Sequence, residues 1–126
     1  MNNDFAPFEL AVKLKEKGFD YPCIAHYDIN KELKVVIREP IFWHSDVLSY
    51  TDAPTIPQVL KWLREEKKIH LMIDIWKVNP NDINYKWGYD VVDLTTTGVV
   101  GCDTLCANTY EQAALAGISY VLDNLI

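Results

Sequence analysis

Apolar and polar positions change period several times along this chain, and each change marks an element. From Pro7 to Lys17 there is no strand-like alternation, and Leu, Lys, Glu and Ala dominate. These residues lose little rotamer freedom in a helix, so the segment predicts a first helix. Gly18 supplies a left-handed stop, and Phe19 stands where a Schellman motif folds an apolar residue back onto the last turn. Lys15 and Lys17 suit the negative end of the helix dipole. The start admits two readings: Asp4 as cap with Pro7 just inside, or Ala6 preceding Pro7 at the first helical position.

Cys23 to Tyr27 and Leu33 to Ile37 are β-branched and aromatic, and Asp28-Ile29-Asn30-Lys31 between them has turn chemistry, which predicts a hairpin. Pro40 to Pro54 has no sustained period; it is either a packed loop or holds one short strand around Val47 to Tyr50. Thr55-Ile56-Pro57-Gln58 is a T-x-x-Q capping box. Behind it Ile56, Val59, Leu60 and Leu63 fall at i, i+3, i+4 and i+7, one helical face, while Lys61, Arg64, Glu65 and Lys68 face water. His70 to Val78 alternates strictly, with Leu71, Ile73 and Ile75 to one side and His70, Met72, Asp74 and Trp76 to the other, the period of a strand. Asn79-Pro80-Asn81-Asp82 breaks it. Tyr85 to Leu94 resumes with Tyr85, Trp87, Tyr89 and Val91 on one face, and Thr97-Gly98 turns into Val99 to Leu105. Thr109-Tyr110-Glu111-Gln112 repeats the capping box ahead of a last helix with Ala114, Ile118, Val121, Leu122 and Leu125 as its buried stripe. Gly117 costs about 1 kcal/mol relative to Ala inside a helix, and a close approach to a strand would account for it. Asp123 opposes the dipole at the C-terminal end, which predicts a weak last turn unless Leu125 docks.

The order is helix, hairpin, loop, helix, three-stranded meander, helix. Segregation of helices from antiparallel strands predicts an α+β fold: a two-layer single domain over residues 1–126, with an antiparallel sheet of hairpin plus meander packed by three helices. Chain length agrees, since 126 residues suit one hydrophobic core rather than two. The repeated T-x-x-Q helices could mark a diverged duplication, but capping boxes arise independently so often that coincidence is the better explanation.

Three stretches, Leu14-Lys15-Glu16-Lys17-Gly18-Phe19-Asp20-Tyr21-Pro22-Cys23, Ala53-Pro54-Thr55 with Leu60-Lys61-Trp62-Leu63-Arg64-Glu65, and Thr109-Tyr110-Glu111-Gln112-Ala113, form a recognisable pattern. The chain resembles small uncharacterised proteins encoded by phages, prophages and mobile elements of gut Bacteroidetes. The matching segments are a helix stop and two capped helices, so the resemblance implies a bacterial, cytoplasmic, mobile-element setting and no catalytic residue. Pro80 to Asn108 matches the pattern least well.

Charge and chemistry narrow the function further. A net charge of −6 repels phosphate backbones and argues against nucleic acid as a partner. Lys61, Arg64, Lys67 and Lys68 near Trp62 make a basic stripe, but Glu65 and Glu66 interrupt it, and a solvated helix face is the plainer reading. No apolar run approaches the roughly 20 residues a bilayer requires, and Met1-Asn2-Asn3-Asp4 lacks a signal-peptide pattern. A soluble, cytoplasmic protein without membrane partner is expected. The three cysteines, Cys23, Cys102 and Cys106, cannot all pair within one chain and read as reduced thiols.

With one of His26, His44 or His70 those cysteines would complete a four-ligand zinc set. On a strand, however, Cys102 and Cys106 stand roughly 13 Å apart at about 3.3 Å per residue, too far for one metal unless the strand ends between them. Cys23 and His26 point to opposite faces of one strand, which keeps thiol from imidazole. Asp74, Asp90, Asp93 and Asp103 are read as solvated carboxylates that discourage edge pairing. No G-x-S-x-G, H-E-x-x-H, P-loop or G-x-G-x-x-G pattern occurs. No metal, cofactor or catalytic residue is therefore expected, and the sequence leaves a small-molecule ligand open.

The meander strand His70 to Val78 is apolar on both faces, and three amphipathic helices need not cover both. An open face with Met72, Trp76 and Val92 would bind a protein partner or a second copy. The leading expectation is a non-enzymatic interaction protein acting through this aromatic surface. The competing one is a small enzyme or ligand-binding domain whose pocket is lined by Trp43, His44 and Asp90.

Overall fold

A glycine and a proline set the two ends of the first helix. In the computed structural model, which describes residues 4–35, 51–76 and 86–126, α1 runs Phe8–Glu16 with Pro7 as its N-cap. Pro7 is extended (φ −60°, ψ 161°), and its carbonyl accepts from the Ala11 N–H at 2.8 Å. The helix thus starts three residues later than an Asp4 cap would place it and one later than a start at Pro7, on a cap with no side-chain hydrogen bond. At the other end the Schellman motif is complete. Gly18 sits at φ +92°, its N–H donates to the Lys15 carbonyl at 3.1 Å, and the Phe19 N–H donates to the Leu14 carbonyl at 2.9 Å. Phe19 and Leu14 are both buried.

The chain divides into two compact units, Met1–Val59 and Leu60–Ile126. In the first, β1 (Ala25–Tyr27) pairs antiparallel with β2 (Leu33–Val35) and, on its other side, with β3 (Thr51–Asp52). The hairpin turn is built by Asp28, whose carboxylate accepts from the Asn30 and Glu32 N–H groups at 2.9 and 3.0 Å. Lys31 closes the turn at φ 63°, the left-handed residue that follows a type I turn in longer hairpin loops. Val47 to Tyr50, where the sequence allows either a packed loop or a short strand, lie outside the described residues; the strand that is described begins at Thr51.

Alanines let α1 approach this sheet. Ala11, Ala25 and Ala53 are at most 2% exposed and share a cluster with Phe5 and Tyr27, against which Phe8 and Leu33 pack. The Tyr27 hydroxyl donates to the Ala6 carbonyl at 2.6 Å, and its ring meets Phe8 edge-on at 5.6 Å. Both halves of Tyr27 are thereby used: the ring fills the core and the hydroxyl satisfies a backbone acceptor.

The unit boundary falls within α2 (Ile56–Glu66). Its capping box forms as the sequence predicts: the Thr55 N–H donates to Gln58 Oε1 at 2.9 Å and the Gln58 N–H to Thr55 Oγ1 at 3.3 Å. The remaining Gln58 donor reaches the Pro22 carbonyl at 2.8 Å. Ile56, Val59, Leu60 and Leu63 are all buried, as the period requires, and so is Trp62.

In the second unit β4 (Ile69–Trp76), β5 (Lys86–Asp93) and β6 (Gly98–Ala107) form an antiparallel meander in that order. The α+β class is as expected, with a difference in detail: among the described residues the strands make two three-stranded sheets, β2-β1-β3 and β4-β5-β6, rather than one. α3 (Tyr110–Asn124) packs on the meander. Thr109 Oγ1 accepts from the Gln112 N–H at 3.1 Å, but Gln112 Oε1 reaches back to the Asn108 N–H, one residue earlier than in a standard box. Leu125 does not join the stripe: it is 36% exposed, while Ala113 and Gly117 are buried with Ala114, Ile118, Val121 and Leu122.

Two glycines set the helix-to-sheet distance. A Cβ on Gly117 would stand 2.9 Å from Leu71 Cδ2 and 3.1 Å from Tyr89 Cγ. Across the same contact, a Cβ on Gly101 would stand 2.5 Å from the Tyr120 ring. The Gly117 close approach that its helical position suggested is what the structure has. Among the described residues no helix is long and apolar enough to cross a membrane.

Two stability predictions follow from this packing. Leu60→Ala and Leu63→Ala should each lower the unfolding free energy by about 2–5 kcal/mol, read from urea denaturation; wild-type values for both would contradict the burial of that face. Gly117→Ala should also destabilise, by up to about 2 kcal/mol, because overpacking outweighs the roughly 1 kcal/mol gain in helix propensity. A more stable Gly117→Ala variant would show that α3 does not approach so closely.

Candidate functional site

α3 covers one face of the meander and so defines the other. Leu71, Tyr89, Val91 and Gly101 lie beneath the helix, and the register Leu71↔Val91↔Gly101 keeps them in rows. Residues of the opposite parity form the outer face. One row is Met72–Asp90–Cys102, and the next is His70–Val92–Val99. Met72 and Val99 are 49% and 61% exposed. Asp74 is exposed on the same face beyond Met72, and Val92 and Asp90 are half-buried. His70 Nδ1 is shielded from water without a hydrogen-bond partner among the described residues.

The sequence thus places Met72 and Val92 correctly on one face, opposite Leu71 and Ile73. Trp76 ends β4 opposite Lys86; its side chain lies outside the described set. The aromatics of β5 that the sequence puts on one strand face, Trp87 and Tyr89, meet α3. Trp87 packs edge-on against Tyr110 at 5.7 Å, and Tyr89 meets Tyr120 at 6.2 Å, both against α3. What the outer face presents among the described side chains is aliphatic and thioether, mixed with carboxylates. Of the expected pocket, Trp43 and His44 lie outside the described residues, and Asp90 belongs to the outer face, between Met72 and Cys102.

The cysteines divide by environment. Cys23 is fully buried and donates its S–H to the Tyr21 carbonyl at 3.3 Å. Burial, reinforced by the charge of Asp52, pushes its thiol up to about 12. His26 and Asp52 face each other across β1 and β3 and are buried too. A cysteine, a histidine and an aspartate are therefore near neighbours in sequence register, yet the thiol stays protonated at neutral pH and is no nucleophile. Cys102 is exposed and Cys106 half-buried on β6. Between them the ladder shifts register at Trp87/Tyr89. No group of three or more His, Cys, Asp or Glu side chains that could hold a metal ion occurs among the described residues.

A second feature carries no period in the sequence and was not legible there. A cavity of about 310 Å³ opens on the α3 side of the meander, lined by Lys67, Ile69, Asp93, Thr95, Val100, Leu125 and Ile126. Its walls come from four separate places: the approach to β4 and its first residue, the end of β5 with the turn after it, the β6 bulge and the residues that follow α3. The bulge is produced by the register shift between Val91 and Val92, where Val100 is the additional residue. Only the folded chain brings these side chains together.

No family model, curated protein or solved structure matches the chain. Function is accordingly argued from the surface itself.

The thiol yields a pH prediction with a definite sign. The folded state holds the Cys23 proton above the ordinary thiol value of 9.0, so above pH 9 the unfolded chain releases a proton that the folded chain keeps. Stability should fall from pH 9 toward pH 12 with a Cys23 contribution of up to about 1.4 kcal/mol per pH unit. Cys23→Ala should remove that part of the slope. Identical pH dependence in both proteins would place Cys23 in a solvated site.

Proposed function

We propose that this chain is a non-enzymatic interaction protein that binds a protein segment pairing apolar with basic side chains, on the outer face of the β4-β5-β6 sheet. The observation that carries the reading is the exposure of Met72 and Val99, 49% and 61%, on the face opposite α3. Large apolar side chains grouped on one sheet face are a feature of binding surfaces. Met72 suits such a surface because its unbranched thioether adapts to irregular partners.

Charge selects the partner. Asp74 and Asp90 flank Met72 on this face, and the chain carries a net charge of −6. A second copy would bring the same carboxylates into opposition, whereas lysine or arginine beside apolar residues would complement them. The resemblance to small phage and mobile-element proteins fits an accessory role of this kind in a bacterial host. The alternative, a small enzyme, gains nothing from Cys23, whose thiol is held protonated.

The test uses an amphipathic peptide of alternating leucine and lysine, titrated calorimetrically at several salt concentrations. Met72→Ser with Val99→Ser, and separately Asp74→Asn with Asp90→Asn, should each weaken binding about tenfold. Met72, Val99 and Asp74 are exposed, where substitutions cost within about 0.5 kcal/mol; Asp90 is half-buried, and an unchanged urea midpoint checks that its variant is folded. Salt should weaken the wild-type complex. Wild-type affinity in both double variants would remove the reading, and a concentration-dependent dimer abolished by the serine pair would give the face to a second copy instead.

A further inference from the structure

The cavity on the α3 side is separate from the outer face, and its chemistry is different. Its floor is aliphatic, from Ile69, Val100 and Leu125, and its polar rim is Asp93, Thr95 and Lys67. The volume of about 310 Å³ is at the small end of ligand sites, enough for a short alkyl body with one polar head.

The sign of that head follows from how the rim charges are used. Lys67 Nζ stands 5.4 Å from the centroid of the Trp62 ring, so the ammonium already has an aromatic face for a partner. Asp93 has no basic partner among the described residues. One of its oxygens, Oδ1, accepts from the Thr95 N–H at 2.9 Å and the Thr95 hydroxyl at 2.7 Å, which orders the carboxylate and favours its ionised form. The end of α3 adds the negative pole of a helix whose last turn contains no basic residue. Two sources of negative potential therefore meet an aliphatic floor, and the nearest cation is committed to a tryptophan.

We infer that this cavity is a binding site for an alkylammonium group, its chain on Ile69, Val100 and Leu125 and its charged head at Asp93. The site is independent of the interaction surface on the other side of the sheet. Its ligand is either a free amine or the side chain of a lysine, which share the same head and methylene stem.

The experiment titrates n-hexylammonium into the full chain by two-dimensional amide NMR, with n-hexanol and hexanoate as neutral and anionic controls. Saturable shifts centred on Ile69, Thr95, Val100 and Leu125 are expected for the ammonium, with hexanoate at least about tenfold weaker. Asp93→Asn keeps an oxygen for the Thr95 N–H, so the turn is retained while the charge is lost, and it should weaken the ammonium about tenfold. Lys67→Met should leave the ammonium bound as well as before or more tightly. Nα-acetyl-lysine-N-methylamide binding as tightly as hexylammonium would assign the ligand to a protein side chain, and weaker binding would assign it to a free amine; either outcome supports the site. The proposal is overturned by hexanoate binding as tightly as the ammonium and losing affinity in Lys67→Met, by wild-type ammonium affinity in Asp93→Asn, or by the lack of saturable shifts at those amides.

Discussion

The contact of Gly117 with Leu71 and Tyr89 is the constraint on which the second unit depends. With hydrogen in place of a methyl group, α3 settles onto the meander closely enough that an added Cβ would stand 2.9 Å from Leu71. Gly101 does the same from the sheet side beneath Tyr120. A helix seated this close fixes which strand residues are dry. Leu71, Tyr89 and Val91 go into the core, and the alternation of a strand then leaves Met72, Asp74 and Asp90 on the far face. The helix thereby creates the outer surface as much as it buries the inner one.

Small residues serve the first unit in a related way, through alanine rather than glycine. Ala11, Ala25 and Ala53 bring α1 and the short sheet together, and Tyr27 locks the arrangement by spending its hydroxyl on the Ala6 carbonyl. Among the described residues the strands there span two or three residues each. Side-chain hydrogen bonds add to their ladder. Asp28 organises the hairpin turn, and Gln58 links the start of α2 to Pro22. Burial of Cys23 belongs to the same economy of small residues, and its raised thiol value is the electrostatic consequence of dryness beside Asp52.

The two faces of the meander offer different chemistry because they arise differently. The outer face is a regular product of register, with Met72, Asp90 and Cys102 in one row. The cavity is a product of irregularity, formed where a bulge displaces Val100 and where α3 ends. Regular strands yield broad, shallow surfaces suited to an extended partner, whereas bulges and helix ends make concave corners. Both faces carry carboxylates beside aliphatic groups, Asp74 and Asp90 on one and Asp93 on the other, and that is the chemistry on which the two proposals rest.

Local physics made much of this fold legible in the sequence alone. The Gly18 stop, the T-x-x-Q boxes, the α2 stripe and the alternation of β4 are each decided by interactions within a few residues, and short patterns encode such interactions. The same local logic placed Met72 and Val92 on one face and gave Gly117 its reason. Tertiary packing decided the rest. Which face of the meander α3 would cover depends on contacts between residues about 20 to 50 positions apart in the chain, and it chose the face of Leu71 and Tyr89 over that of Met72 and Val92. Leu125 carries the helical period yet stays 36% exposed, because the sheet it would pack against gives way to a cavity there. The sequence by itself determined where elements start, stop and turn polar; only the folded chain decided which apolar face is left open and which distant side chains meet, because burial is settled by partners that a local pattern does not name.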